Sequence, residues 1–119
     1  MDNLTNDAKF LISSMYVKYL ERRKEQVPKA KARNFQSIDY IKEHIMPEWS
    51  REDVLDTCRE LSRHGYVNGI IGNNDFYQIS ISTEAIAELE KQFQEKTFSG
   101  RIMQGLEFAK KIKDAIPFA

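Results

Sequence analysis

The chain has 119 residues with 18 basic and 18 acidic side chains, a length that favours a single domain over residues 1–119. Its 41% hydrophobic and 30% charged composition excludes a disordered or collagen-like chain, and no apolar run reaches the ~18 residues of a membrane span. The acidic start is unlike a signal peptide and the single Cys58 excludes an internal disulfide, so we expect a cytoplasmic protein without a membrane partner. Charge is uneven, because residues 18–33 hold seven basic side chains against two acidic ones.

The first predicted element is a long helix over about residues 5–26, which begins at an N-cap Thr5 and ends at Val27-Pro28. Helical spacing places two apolar stripes on it: Ala8, Ile12, Met15 and Tyr19 on one side, and Phe10, Val17 and Leu20 roughly opposite. The second stripe needs a cover, and the last helix of the chain provides one, either within one chain or from a second copy. We favour a second copy, because symmetric dimers are the commonest oligomers.

A basic connector over residues 28–36 follows the first helix. Its cations are Lys29, Lys31 and Arg33. Ser37 then caps a short helix that Met46-Pro47 ends, because the residue before proline is biased out of the helical region. Ser50 opens the next helix with capping-box spacing, and Gly65 stands where a left-handed residue is expected after a helix.

The apolar period then changes to two, which predicts a β-hairpin with strands over residues 66–71 and 76–81. The alternation places three side chains on one face of the return strand, namely Tyr77, Ile79 and Ile81. A helix capped by Thr83 follows, and residues 97–100 break it. The last helix covers about residues 101–116 and carries one apolar stripe that includes Ile102, Leu106 and Ile112.

A short helix, a turn, a helix ending in Gly65 and an immediate hairpin are typical of a winged helix-turn-helix. Leu61-Ser-Arg-His-Gly-Tyr-Val-Asn-Gly69 resembles the winged-helix junction Leu-x-x-x-Gly-Tyr-Val/Ile-x-Gly, and residues 79–86 resemble its usual continuation, with Ala85-Ile86 where many members carry Gly. The resemblance covers residues 37–93 and implies a mainly α fold with a small β-hairpin: a winged helix-turn-helix core with extra N- and C-terminal helices.

The hairpin, the helix after it and the Lys-rich stretch over residues 108–116 also look like small phage-related winged-helix proteins of the YjcQ type. That likeness implies a bacterial or prophage origin, and it transfers no functional residue to this chain.

The winged-helix resemblance implies binding to double-stranded DNA by the helix over residues 51–64 and by the hairpin, as in transcription regulators. The candidate DNA contacts are basic, amide and hydroxyl side chains: Lys29, Lys31, Arg33, Thr57, Arg59, Arg63, Asn73 and Asn74. Two features oppose this interpretation, because the hairpin contains no Lys or Arg and the outer face of the helix carries four acids against two arginines. The i,i+3 spacing also allows Arg59 and Arg63 to pair with Asp56 and Glu60.

The alternative function is a winged-helix module that binds another protein and has no affinity for DNA. An acidic helix face, a hairpin without basic residues and apolar stripes on the terminal helices suit this use. The candidate interface residues, which would also serve a homodimer, are Phe10, Val17, Leu20, Ile102, Leu106 and Ile112.

The sequence does not predict an enzyme, a cofactor or a metal site. Gly69-Ile-Ile-Gly72 lacks the spacing and the lysine of a phosphate-binding loop, and His44 and His64 fit no metal motif. Cys58 falls on the inner face of its helix, which predicts a buried thiol, and Trp49 in the preceding turn is interpreted as a packing anchor.

Overall fold

The computed structural model describes residues 1–115, which form a mainly helical fold with a small three-stranded antiparallel sheet. The elements are α1 Asn6–Lys24, α2 Lys29–Ala32, β1 Asn34–Ser37, α3 Ile38–His44, α4 Arg51–Arg63, β2 Val67–Gly72, β3 Asp75–Ile81, α5 Thr83–Gln92 and α6 Phe98–Ala115. The predicted end of the last helix at residues 116–117 lies outside the described residues.

Local capping signals fix most helix starts. Three predicted caps accept the backbone N–H three residues further on, at 3.1–3.2 Å: Thr5, Ser37 and Ser50. The cap of α5 is Ser82 and not the predicted Thr83, because the Ser82 hydroxyl accepts the Ala85 N–H at 3.1 Å. Gly65 follows α4 with a φ of +77°, so the prediction of a left-handed residue there is confirmed.

The predicted basic connector is wrong, because residues 29–32 form α2 and residues 34–37 form β1. β1 pairs antiparallel with β3 and gives the strand order β1-β3-β2. It contributes the fully buried Phe35 to the core. A four-residue strand that is held by a distant partner leaves no periodic signal in the sequence, so the pattern reads as a loop.

The predicted shared face of Tyr77, Ile79 and Ile81 on the return strand is wrong at Tyr77, which is 41% exposed. Phe76 is buried with Ile79 and Ile81 instead. The cause is a β-bulge: Gln78 has a φ of +54°, and the pairing jumps from Asn68↔Ser80 to Ile70↔Tyr77. Two residues of β3 therefore face one residue of β2, which reverses the alternation at this point.

The last helix covers the second stripe of α1 within the same chain. α6 packs along α1, and Val17 and Leu20 are buried. The approach is so close that a Cβ at Gly105 would lie 2.5 Å from Val17 Cγ2, which only glycine allows. Of the two arrangements left open by the sequence, the one within the chain is found, so this stripe gives no support to a two-fold pair.

Helix α6 also begins earlier than predicted, at Phe98. The stretch interpreted as a break is a helix start, because the Gly100 N–H donates to Thr97 Oγ1 at 2.9 Å. Of the interface candidates on α6, Ile112 is buried and Ile102 is half-buried, whereas Leu106 is 50% exposed beside the exposed Met103.

Candidate functional site

Two surface grooves contain four of the candidate DNA contacts: Lys29 and Arg33 in one, and Arg59 and Asn74 in the other. The first, here called the α2 groove, has a volume of about 860 Å³ and lies between α2, β1 and β3. Its main lining residues are Lys29, Arg33, Asn34, Gln36, Tyr77 and Gln78. The second, here called the α4 groove, has a volume of about 580 Å³ and lies between α4 and the tip of the hairpin. It is lined by Arg51, Glu52, Leu55, Asp56, Arg59 and Asn74.

An arginine of α1 fixes the start of β1, one of the strands that form the α2 groove. The Arg22 guanidinium donates to the carbonyl oxygens of Ala32, at 3.1 Å, and Asn34, at 2.7 Å, and it stacks over the Phe35 ring at 4.6 Å. These contacts hold the start of β1 beside α1. Asn34 Oδ1 then accepts the Gln36 N–H at 2.9 Å, a local turn that accompanies the left-handed φ of +63° at Gln36.

The α2 groove carries positive charge without a carboxylate in its lining. Lys29 is exposed, and Arg33 donates through Nη2 to Thr83 Oγ1 at 3.1 Å. Lys31 is exposed on α2 but does not line the groove. Part of the basic segment is structural, because Arg22 and Arg23 both donate to backbone carbonyls. The two lining cations are therefore the ones placed to meet an anion.

The α4 groove has a balanced set of charges. Arg51 pairs with Asp39 at 2.8 Å and with Asp75 at 3.0 Å, and it donates to the Asn74 carbonyl oxygen at 3.2 Å. The hydrogen bond that Arg51 donates to Asp39 raises the pKa of Arg51, and the arginine joins α3, α4 and the hairpin tip. Glu52 and Asp56 line the same groove as Arg59, so no excess of positive charge is left for a phosphate.

One predicted DNA contact on α4 is wrong. Thr57 is only 5% exposed, because its spacing from Val54 and Leu61 places it on the inner face of the helix. Arg59 is half-buried in the α4 groove, and Arg63 is exposed in the last turn.

The ion pairs that the helical spacing allowed are not formed within residues 1–115. Glu60 instead accepts hydrogen bonds from Thr5 N, at 2.8 Å, and Thr5 Oγ1, at 2.7 Å, at the start of α1. At the hairpin turn Asn73 and Asn74 are exposed, as a DNA contact requires, and Asn74 has a φ of +54°.

The remaining reactive residue types have packing roles. Cys58 is fully buried, and burial raises the pKa of its thiol to about 12, so the nucleophilic thiolate is scarce at neutral pH. Trp49 is 8% exposed and its ring lies 6.1 Å from the Phe10 ring, which confirms a packing anchor. His64 Nδ1 lies 2.9 Å from Asn3 Nδ2, and no metal-like cluster of His, Cys, Asp or Glu occurs in the part of the chain that the structure describes.

Sequence reasoning found the cations of the α2 groove but missed Asn34, Gln36, Tyr77 and Gln78. The only local signal was Asn34 two residues before Gln36, a spacing that favours an Asx turn. The left-handed backbone at Gln78 and the outward direction of Tyr77 arise from strand pairing between distant segments.

Comparison of the chain with protein-family models, with curated proteins and with solved structures finds no match. None of the helices within residues 1–115 combines the length and the apolar composition that a membrane crossing requires. The function must therefore be argued from the two grooves.

Proposed function

We propose that this protein is a winged-helix DNA-binding module, of the kind used by transcription regulators, whose phosphate contacts come from the α2 groove. The order α3, turn, α4 and hairpin supports the winged-helix assignment, as does the left-handed Gly65 that joins α4 directly to β2. The presence of β1 beside β3 extends the hairpin into a three-stranded sheet.

The observation that carries the proposal is the difference in charge between the grooves. The α2 groove has two cations and no acid in its lining, whereas the α4 groove has two arginines and two acids. Affinity for nucleic acid comes largely from basic groups that neutralise phosphates and release counterions. The α2 groove and the neighbouring Lys31 meet that requirement, and the outer face of α4 does not.

A salt series tests the proposal. Fluorescence anisotropy would measure binding of a labelled duplex to the wild type and to a variant with Lys29, Lys31 and Arg33 replaced by alanine. Each lost phosphate contact flattens the plot of log affinity against log salt by roughly 0.9, so we expect a visibly shallower slope. A matched variant, with Lys91, Lys96 and Lys111 replaced by alanine, removes the same charge outside the groove and should keep most of the slope.

The proposal fails if the wild type binds neither random nor native-locus duplex at low salt. It also fails in its choice of site if the two triple variants lose the same amount of slope, because the effect would then follow net charge alone.

A second function, binding to another protein without DNA affinity, is favoured by the hairpin and the exposed face of α6. The hairpin exposes Ile70 by 47% and Ile71 by 57%, and α6 exposes Met103 and Leu106. A folded wild-type chain that does not bind DNA at low salt would favour this function. Light scattering of the wild type and of a Met103→Ser/Leu106→Ser variant would show whether the partner is a second copy, since the homodimer predicts two chains for the wild type and one for the variant.

A further inference from the structure

We propose that the α2 groove binds one nucleoside phosphate, with the phosphate on Lys29 and Arg33 and the base against the ring of Tyr77. The ligand is either a free nucleotide or one nucleotide of a single strand, which share this chemistry. The inference does not depend on duplex binding, because it rests on an aromatic ring and amide groups that a duplex backbone contact does not need.

The cationic end of the groove is open to a phosphate. Lys29 and Arg33 are four residues apart, a spacing that brings side chains together at a helix and its C-cap. Within residues 1–115, Nη2 of the Arg33 guanidinium donates to the Thr83 hydroxyl and the unpaired Nε is buried, so Nη1 is the nitrogen left to meet a phosphate. Arginine and lysine donors favour phosphate oxygens, and no lining carboxylate competes for them.

The other end of the groove presents an aromatic ring. Tyr77 lies across Gly72, where an added Cβ would be 2.8 Å from the Tyr77 hydroxyl oxygen and 3.4 Å from Cζ. The absence of a side chain at Gly72 lets the ring lie against the β2 backbone, and Tyr77 as a whole remains 41% exposed. An aromatic ring with one face against the protein and the other face open to solvent is the usual platform for stacking a base.

Amide side chains line the floor between the two ends. Gln36 and Gln78 line the groove, and both have left-handed backbones, with φ of +63° and +54°. Such conformations are unfavourable for residues other than glycine and tend to occur at functional sites. Side-chain amides offer a donor and an acceptor together, the pair of groups that reads the edge of a base.

The spacing of the groove fits one nucleotide. Asn34, next to the cations, pairs with Ser80, and Ser37 pairs with Tyr77. Three residues therefore separate the cationic end from the strand position of Tyr77, a span of at most roughly 10 Å that the left-handed Gln36 shortens. A ligand with its phosphate on one end and its base on the other bridges that distance.

Isothermal titration of the full chain with adenosine monophosphate, with a six-residue oligothymidylate and with inorganic phosphate tests the inference. We expect Tyr77→Leu to weaken binding of both nucleoside phosphates by roughly ten-fold, whereas Tyr77→Phe keeps the ring and stays within about two-fold of the wild type. Ile70→Ala, which changes the cross-strand neighbour of Tyr77, is the matched control and should bind like the wild type. Circular dichroism checks that each variant folds, and backbone amide shifts of Asn34, Gln36 and Gln78 locate the ligand.

The source of the nucleotide follows from the comparison of probes. Equal affinity for the monophosphate and the oligomer indicates a free nucleotide, and much tighter binding of the oligomer indicates a single strand. The inference is overturned if neither binds at about 1 mM, if inorganic phosphate binds as tightly as the nucleotides, or if Tyr77→Leu has no effect. Duplex binding by Tyr77→Leu, measured in the salt series, separates this inference from the proposed function, because the variant keeps both cations.

Discussion

The α2 groove and the α4 groove both lie where a helix meets the sheet, but the charges of their lining residues differ. The lining of the α2 groove has an excess of positive charge, whereas that of the α4 groove is balanced. In the α4 groove Arg51 forms ion pairs with Asp39 and Asp75, and the negative charges of Glu52 and Asp56 offset the positive charge of Arg59. Beside the α2 groove the structural arginine is Arg22 of α1, and the lining cations Lys29 and Arg33 form no ion pair within residues 1–115.

The difference shows that the surroundings of an arginine decide whether it is held in internal ion pairs, as Arg51 is, or stands beside no lining carboxylate, as Arg33 does. A helix-turn-helix order directs attention to α4, where function is usually found. Here the first turn of α4 is acidic, which suits the positive end of a helix and stabilises it, but which repels phosphate.

The largest expected effect is a loss of stability of the whole fold, which positions both grooves. Val17→Asp would place an unpaired carboxylate in the buried seam between α1 and α6, where Gly105 lies against Val17. We expect a loss of roughly 3–5 kcal/mol in the free energy of unfolding, because a buried charge without a partner is strongly unfavourable. Urea denaturation would measure it, and Lys18→Asp on the half-exposed side of α1 is the control. A stable, unchanged Val17→Asp variant would show that the seam is not formed as described.

A smaller loss is expected beneath the α4 groove. Cys58→Ser buries a hydroxyl without an assured partner and should cost roughly 1–3 kcal/mol of unfolding free energy. The native thiol should also react slowly with a maleimide, because it is buried and its pKa is raised to about 12. Rapid labelling of the folded chain would mean that α4 is rotated from the phase seen here.

A gain in stability is expected in the α2 groove. Gln78→Gly removes the strain of a left-handed glutamine and should raise the unfolding free energy by roughly 0.5–1 kcal/mol, while nucleotide binding falls. Gln26→Gly is the matched control, because Gln26 has a similar φ of +67° outside the groove and should gain stability without any change in binding. Weaker folding of Gln78→Gly would show that its amide stabilises the bulge.

The smallest expected effect concerns the Glu88 carboxylate, which forms an ion pair with a positive group of the same chain, as Asp39 and Asp75 do with Arg51. Glu88 accepts hydrogen bonds from the Met1 amino group and, at 2.6 Å, from the Tyr66 hydroxyl, and the bond to the amino group lowers its pKa below 4.5. Because the folded pKa lies below the unfolded one, the stabilisation is complete above the unfolded pKa and is lost as pH falls through the folded pKa. Glu88→Gln should therefore flatten the pH dependence of stability in acid, by no more than about 1 kcal/mol at this partly exposed site. Identical acid profiles for variant and wild type would contradict the assignment.

Most of the helices could be predicted, because their signals are local. The caps at Thr5, Ser37 and Ser50 and the left-handed Gly65 each depend on a few neighbouring residues. The sheet could be predicted only in part, since β1 and the bulge at Gln78 exist through pairing between segments far apart in the chain.

The candidate site was predictable to the same extent. Lys29 and Arg33 are visible as part of a basic run, but the lack of a carboxylate in the groove lining and the outward direction of Tyr77 depend on the folded sheet. Thr57 is the opposite case, a residue that was predicted as a DNA contact and is not accessible. Its hydroxyl and its place on α4 suggested the contact, but the rotation of the helix places the side chain in the core.

The claim that the α2 groove is the anion-binding surface is tested most directly by two charge reversals of equal size. Lys29→Glu/Arg33→Glu alters the α2 groove, and Arg59→Glu/Arg63→Glu alters the half-buried Arg59 and the exposed Arg63 of α4. The measurement is the affinity of each variant for labelled duplex DNA at one low salt concentration. We predict that the first variant loses binding by at least about 100-fold and that the second retains most of it, since each lost phosphate contact costs affinity. Greater loss in the second variant, or equal loss in both, would contradict the account.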